Sequence, residues 1–126
     1  MREHKSAHKD LQTFVEKVLA LHEDVRFAAL FDWEGRRLAG GMKRGIPSLD
    51  PPKKSSQIDR ASALYPVLLA SNKRYFGRFE FMFARMEKVH AVVVQVGSNR
   101  MLVVTTNPPT GLNLIPAIER VIRQSF

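Results

Sequence analysis

The spacing of apolar residues changes three times along this chain. Across Ser6 to Glu23, the positions Leu11, Phe14, Val15, Val18, Leu19 and His22 recur at helical spacing, which predicts an amphipathic helix with one buried stripe. Ser6 is the expected cap, its hydroxyl accepting from amides one turn in. From Val25 to Phe31 the pattern becomes a strand, and Asp32-Trp33-Glu34-Gly35 is a turn in which Gly35 takes the positive φ of a short hairpin. The chain returns as a strand from Arg36 to Met42, and Gly40-Gly41 reads as a bulge that ends strand pairing.

A connector follows over Lys43 to Ser55, where Pro47, Pro51 and Pro52 withhold amide donors among Lys43, Arg44, Lys53 and Lys54. Ser56 caps a second predicted helix with Ile58, Ala61, Tyr65, Leu68 and Leu69 on one face, and Pro66 kinks or breaks it. Three strands come next: Arg78 to Met86 (RFEFMFARM), Val89 to Val96 (VHAVVVQV) and Met101 to Thr105 (MLVVT). The last two are almost continuously apolar, so both faces of their sheet are expected to be covered. A final helix is expected to start near Asn113 as cap, with Pro116 in its first turn and Ile115, Ile118, Val121 and Ile122 as its stripe. The order α-β-β-α-β-β-β-α describes an α+β fold, an antiparallel sheet of about five strands with helices on both faces.

Length and composition narrow the picture further. The 126 residues suit one domain over 1–126, large enough to bury a core, and the connector at 43–55 lies within it. Cysteine is absent, which excludes disulfides and thiolate chemistry and fits a cytoplasmic setting. No apolar run approaches the length of a membrane-spanning helix, and the basic N-terminal residues are not followed by a secretory apolar stretch. The net charge of +8 favours encounters with polyanions or acidic proteins.

The hairpin RFAALFDWEGRRLAGGMKRG, together with the order of elements, resembles the roadblock family of dynein-light-chain-like domains within the profilin-like and longin-like group. The residues Arg26, Phe27, Ala28, Gly35, Ala39, Gly40, Gly41, Lys43 and Gly45 look most similar to a small archaeal branch of that superfamily with unassigned function. The resemblance implies a small dimeric scaffold that regulates small GTPases or tethers complexes, without chemistry of its own. Two features depart from the family pattern: the connector is longer and more basic, and Pro66 interrupts a helix that roadblock proteins commonly use in their dimers.

The search for chemistry returns little. The carboxylates are scattered, Ser98-Asn99-Arg100 is a strand-to-strand turn and not a nucleophile elbow, and no phosphate-binding glycine pattern is present. His4 and His8 share a helix face but lack an evident third ligand, so no metal or other cofactor is expected. His22 and His90 read as packed residues. No enzyme is expected.

Interaction surfaces are the better candidates. In a roadblock-like sheet RFEFMFARM lies at the edge, and a long apolar edge invites pairing. Self-pairing across a two-fold axis would bury Met82 with its phenylalanines, so a homodimer is the leading expectation. Arg78, Glu80, Phe81, Met82 and Phe83, with Tyr65 and Trp33, form the candidate interface. Trp33 is either an exposed anchor or folded back over a neighbouring element. Arg36, Arg37, Lys43, Arg44, Lys53 and Lys54 form a candidate basic surface. The leading function is a non-catalytic homodimeric scaffold or regulatory adaptor, for a small GTPase or a signalling complex. The alternative is a basic module for nucleic acid or anionic surfaces, which would bind phosphates without reading bases.

Overall fold

The computed structural model describes residues 2–47, 49 and 73–126, with side chains from Asp10 onward. Helix α1 spans Arg2–Leu19. Strands β1 (Val25–Asp32) and β2 (Arg37–Met42) form the hairpin. A single helical turn, α2 (Lys73–Phe76), precedes β3 (Phe81–Arg85), β4 (His90–Val96) and β5 (Arg100–Thr106). A 3-10 turn at Gly111–Leu114 leads into helix α3 (Ile115–Ser125).

The strands form one antiparallel sheet in the order β2-β1-β5-β4-β3, the five-stranded α+β architecture expected from the sequence. The alternation in β4 decides which face each residue serves. Val92, Val94 and Val96 pack with Phe14, Val15 and Val18 of α1 and Ile115, Ile118 and Val121 of α3. Val93 instead joins Ala29, Phe31, Phe79 and Met101 on the opposite face. Both faces of the central strands are thus buried, and each large apolar side chain withdrawn from water contributes roughly 1.5–3 kcal/mol. Both long described helices lie on one face; the helix anticipated after Ser56, with its break at Pro66, lies outside the described residues.

Three local expectations need correction. Helix α1 begins at Arg2, a full turn before Ser6, so Ser6 is an interior helical residue and not its cap. Asn113 does not cap α3 either: the 3-10 turn runs through it, and Leu114 occupies the cap position without a side-chain bond. Pro116 does fall in the first turn, where its missing N–H costs no helical bond.

The double glycine is the third. Gly40 and Gly41 stay in register, opposite Ala29 and Ala28, so they do not end the ladder. The register slips instead between Leu30 and Phe31, where Ala39 and Arg37 are the paired residues and Leu38 is the extra one. Gly40 serves close packing. Its φ is +98°, and a methyl there would lie 2.3 Å from the Ala28 carbonyl oxygen and 2.7 Å from Val15 Cγ1 of α1.

Candidate functional site

Strand β3 has β4 as its neighbour on one side and no strand on the other among the described residues. Its pairing register, Phe81 with Val94 and Phe83 with Val92, turns both phenylalanines toward the face that carries α1 and α3. Met82 pairs with Val93 and turns to the opposite face. Phe83 packs against the helical-face core, but Phe81 is 42% exposed. The apolar edge anticipated from RFEFMFARM is therefore present, though shorter than expected.

The residues before β3 do not follow the strand's alternation. Arg78 and Glu80 are exposed and lie ahead of the regular strand, where the Glu80 carbonyl accepts from the Gln95 amide at 3.1 Å. Phe79 is buried with Ala29, Phe31, Val93 and Met101, on the face opposite Phe81 and Phe83. The irregular backbone around Glu80 breaks the two-residue period that would have put all three phenylalanines together. Tyr75 and Phe76 of α2 are 76% and 78% exposed, beside Lys73, Arg74 and Arg78. Tyr65 lies outside the described residues.

Trp33 folds back. Its indole N–H donates to the Ser98 carbonyl at 3.3 Å, and its ring packs on the cluster around Phe31 and Met101. It bridges the β1–β2 and β4–β5 turns, on the face of the sheet where Phe79 and Met82 also pack.

The basic residues are dispersed, and several have intramolecular partners. Asp32 accepts from Arg36 Nε at 2.7 Å and Glu34 pairs with Arg36 Nη2 at 3.2 Å. The hydrogen bond and charge of Asp32 raise the Arg36 pKa. At Asp32 burial pushes upward, but bonds from the Arg36 backbone and side chain and the Glu34 amide hold its carboxyl below the ordinary value. Arg37 stacks its guanidinium over Phe27 at 5.0 Å and Phe31 at 5.7 Å. Lys43 donates to the His22 carbonyl at 2.9 Å. Arg44 is exposed, whereas Lys53 and Lys54 lie outside the described residues.

A separate polar network secures the start of β1. Asp24 accepts the Thr110 hydroxyl, and its carbonyl accepts the Asn107 amide at 2.8 Å. Arg26 donates to Asn107 Oδ1 at 3.1 Å and to the Pro47 carbonyl at 3.0 Å. These bonds clamp the exit of the hairpin to the segment after β5.

Two histidines turn out differently from one another. His22, expected to be packed, is exposed beyond the end of α1, and its Nδ1 accepts the Asp24 amide at 3.0 Å. His90 is 5% exposed and packs edge-on against Phe83 with ring centroids 5.1 Å apart, as a packed residue should. Its Nδ1, however, is sealed from solvent and has no hydrogen-bond partner among the described residues. In the sequence His90 shows only as a polar residue second in the apolar run VHAVVVQV. Among the described residues no group of three or more His, Asp or Glu is placed to hold a metal ion, and no helix is long and apolar enough to cross a membrane.

No protein-family model matches the chain, and no curated protein matches it. Solved structures do. The gliding protein MglB from Thermus thermophilus superposes with a TM-score of 0.74 at 18% identity, covering 94% of this chain and 86% of that one. An MglB described as having a tetrameric arrangement gives 0.67 at 19% identity, with 94% and 92% covered. A Roadblock/LC7 domain from Streptomyces avermitilis gives 0.69 at 14% identity, with 91% and 93% covered. At such identities the likeness concerns the fold: this chain has the roadblock/LC7 fold.

Proposed function

We propose that the protein is a non-catalytic homodimeric adaptor whose two β3 edges pair across a two-fold axis to make one continuous sheet. The observation that carries this reading is the β3 edge itself, where Phe81 is 42% exposed beside a backbone with no outer strand partner among the described residues. An unpaired apolar edge of this kind is a template for another strand. The opposite edge is better protected, because the Gly40 amide donates to Gln12 Oε1 of α1 at 3.0 Å. The fold shared with an MglB of tetrameric arrangement supports self-association. A small GTPase is the partner class suggested by the roadblock resemblance.

Molar mass by light scattering, on nuclease-treated protein at low and high salt, tests the proposal. A salt-independent dimer that Met82→Asp converts to a monomer is the expected result. A monomer at all salt concentrations would sink the edge-pairing reading. The partner class is tested separately, by binding of a nucleotide-loaded small GTPase to the wild-type dimer.

A second reading, a basic module for nucleic acid or an anionic surface, draws on one specific feature. Lys73, Arg74 and Arg78 flank the exposed rings of Tyr75 and Phe76, an interleaving of cations and aromatics suited to polyanions. Steep loss of polyanion binding with added salt distinguishes this reading from the dimer.

A further inference from the structure

The free side of β3 carries a definite set of backbone groups. At its two ends the Gln95 amide donates to the Glu80 carbonyl at 3.1 Å and the Met86 amide to the Val89 carbonyl at 3.0 Å. In the β3–β4 register both bonds join residues directly opposite one another. Opposite residues of an antiparallel pair alternate between exchanging bonds and exchanging none, so Met82 and Ala84 also bond β4. Phe81, Phe83 and Arg85 therefore turn three N–H and three C=O groups away from β4, toward the open edge.

One antiparallel register with a second copy satisfies all of these groups. With the two Phe83 residues opposite one another on the two-fold axis, Phe81 of each copy lies opposite the partner's Arg85. Sliding one copy by two residues sets Arg85 against the partner's Phe79, which is turned to the other face. Sliding it the other way sets Phe81 against the partner's Glu87, beyond the end of the strand. A slide of one residue opposes outward-facing to inward-facing positions and loses the bonds.

The side chains favour the same register. Phe81, Phe83 and Arg85 share the helical face, where Phe81 is 42% exposed. Arg85 lines an open groove of about 550 Å³ whose other walls include Phe83, Met86 and Leu112. A phenylalanine opposite Arg85 gains a cation–π contact, and its ring brings apolar surface to exposed Met86 and Leu112.

We propose that a second copy seats on β3 in this register, each Phe81 ring lying against the partner's Arg85 at the groove. The proposal rests on the edge-pairing reading and fixes the residues that make the contact.

Because the chain has no cysteine, single cysteines introduced along β3 report the register by disulfide cross-linking. On the axis the two Phe83 Cα atoms lie about 5.5 Å apart, within disulfide reach. Met82 and Ala84 meet their own counterparts only diagonally, at about 7–8 Å, which is too far. Phe83→Cys should therefore give a linked dimer on mild oxidation, with Met82→Cys and Ala84→Cys unlinked. Phe83 is half-buried, so two exposed positions repeat the test without risk to folding. Chains carrying Phe81→Cys should link to chains carrying Arg85→Cys, and neither should link to its own kind. Arg85→Gln should weaken the dimer about tenfold, through two lost cation–π contacts. An unchanged dimerisation constant in that variant would overturn the Phe81–Arg85 contact. A dimer by light scattering that links instead at Met82 or Ala84 overturns the register and keeps edge pairing. A dimer that links at none of the five positions, or a monomer, overturns both.

Discussion

The Gln12 side-chain carbonyl of α1 accepts the Gly40 backbone N–H of β2 at 3.0 Å, tying the first helix to the sheet edge at the point of closest approach. There is no room for a side chain at Gly40, and its positive φ disfavours one. Gly40→Ala should therefore destabilise the fold by about 2–4 kcal/mol, from backbone strain and overpacking against Val15. Gln12→Ala, which only leaves the amide unpaired, should cost about 1 kcal/mol. Urea denaturation midpoints of the two variants would establish the order; equal losses would mean that contact at Gly40 is not what limits it.

Acid sensitivity should trace in part to Asp24. The Thr110 hydroxyl lowers its pKa from the ordinary 3.8, burial works the other way, and Asn107 with the His22 and Lys43 charges adds to the lowering. A carboxyl whose pKa is lower folded than unfolded adds stability above the unfolded value, and that stability is lost as pH falls through the folded value. Thr110→Val should be less stable than wild type near neutrality, and the gap should narrow below about pH 4. Paired urea curves at pH 7 and pH 3 measure this, and a gap that widens in acid would contradict it.

Trp33 should behave as a structural reporter. Because its indole bonds the Ser98 carbonyl and its ring is partly buried, its emission should shift to longer wavelength only when the two turns separate on unfolding. Trp33→Phe should cost about 1 kcal/mol and leave the molar mass unchanged. A variant that keeps full stability but loses self-association would restore Trp33 as an interface residue.

The basic residues should separate by what they touch. Arg44→Glu reverses an exposed charge and should reduce any salt-dependent polyanion binding without loss of stability. Arg36→Ala removes a solvent-screened ion pair with Asp32 and should leave stability nearly unchanged. Equal effects of both variants on polyanion binding would place the binding surface at the hairpin turn as well.

Much of the architecture was legible because strands and helices announce themselves through their periods. VHAVVVQV and MLVVT are apolar on both sides, and both faces of β4 and β5 are buried. RFEFMFARM was readable as the edge strand once the order of elements was in view. The order and the hairpin together pointed to the roadblock fold that the solved structures share. The candidate site was less legible. Trp33 had two equally good readings until Ser98, 65 positions away, supplied its partner.

Local pattern by itself determined the five strands, the first and last helices and the two-sided core, since an apolar period is written residue by residue and needs no distant partner. Only the tertiary structure decided the rest. It showed that Gly40 is small because α1 crosses it and that Phe79 leaves the face of Phe81. It also showed that the buried Nδ1 of His90 has no hydrogen-bond partner among the described residues. Each of these depends on which distant backbone arrives within a few ångströms, and packing at that range is set by the whole fold and not by neighbours in the chain.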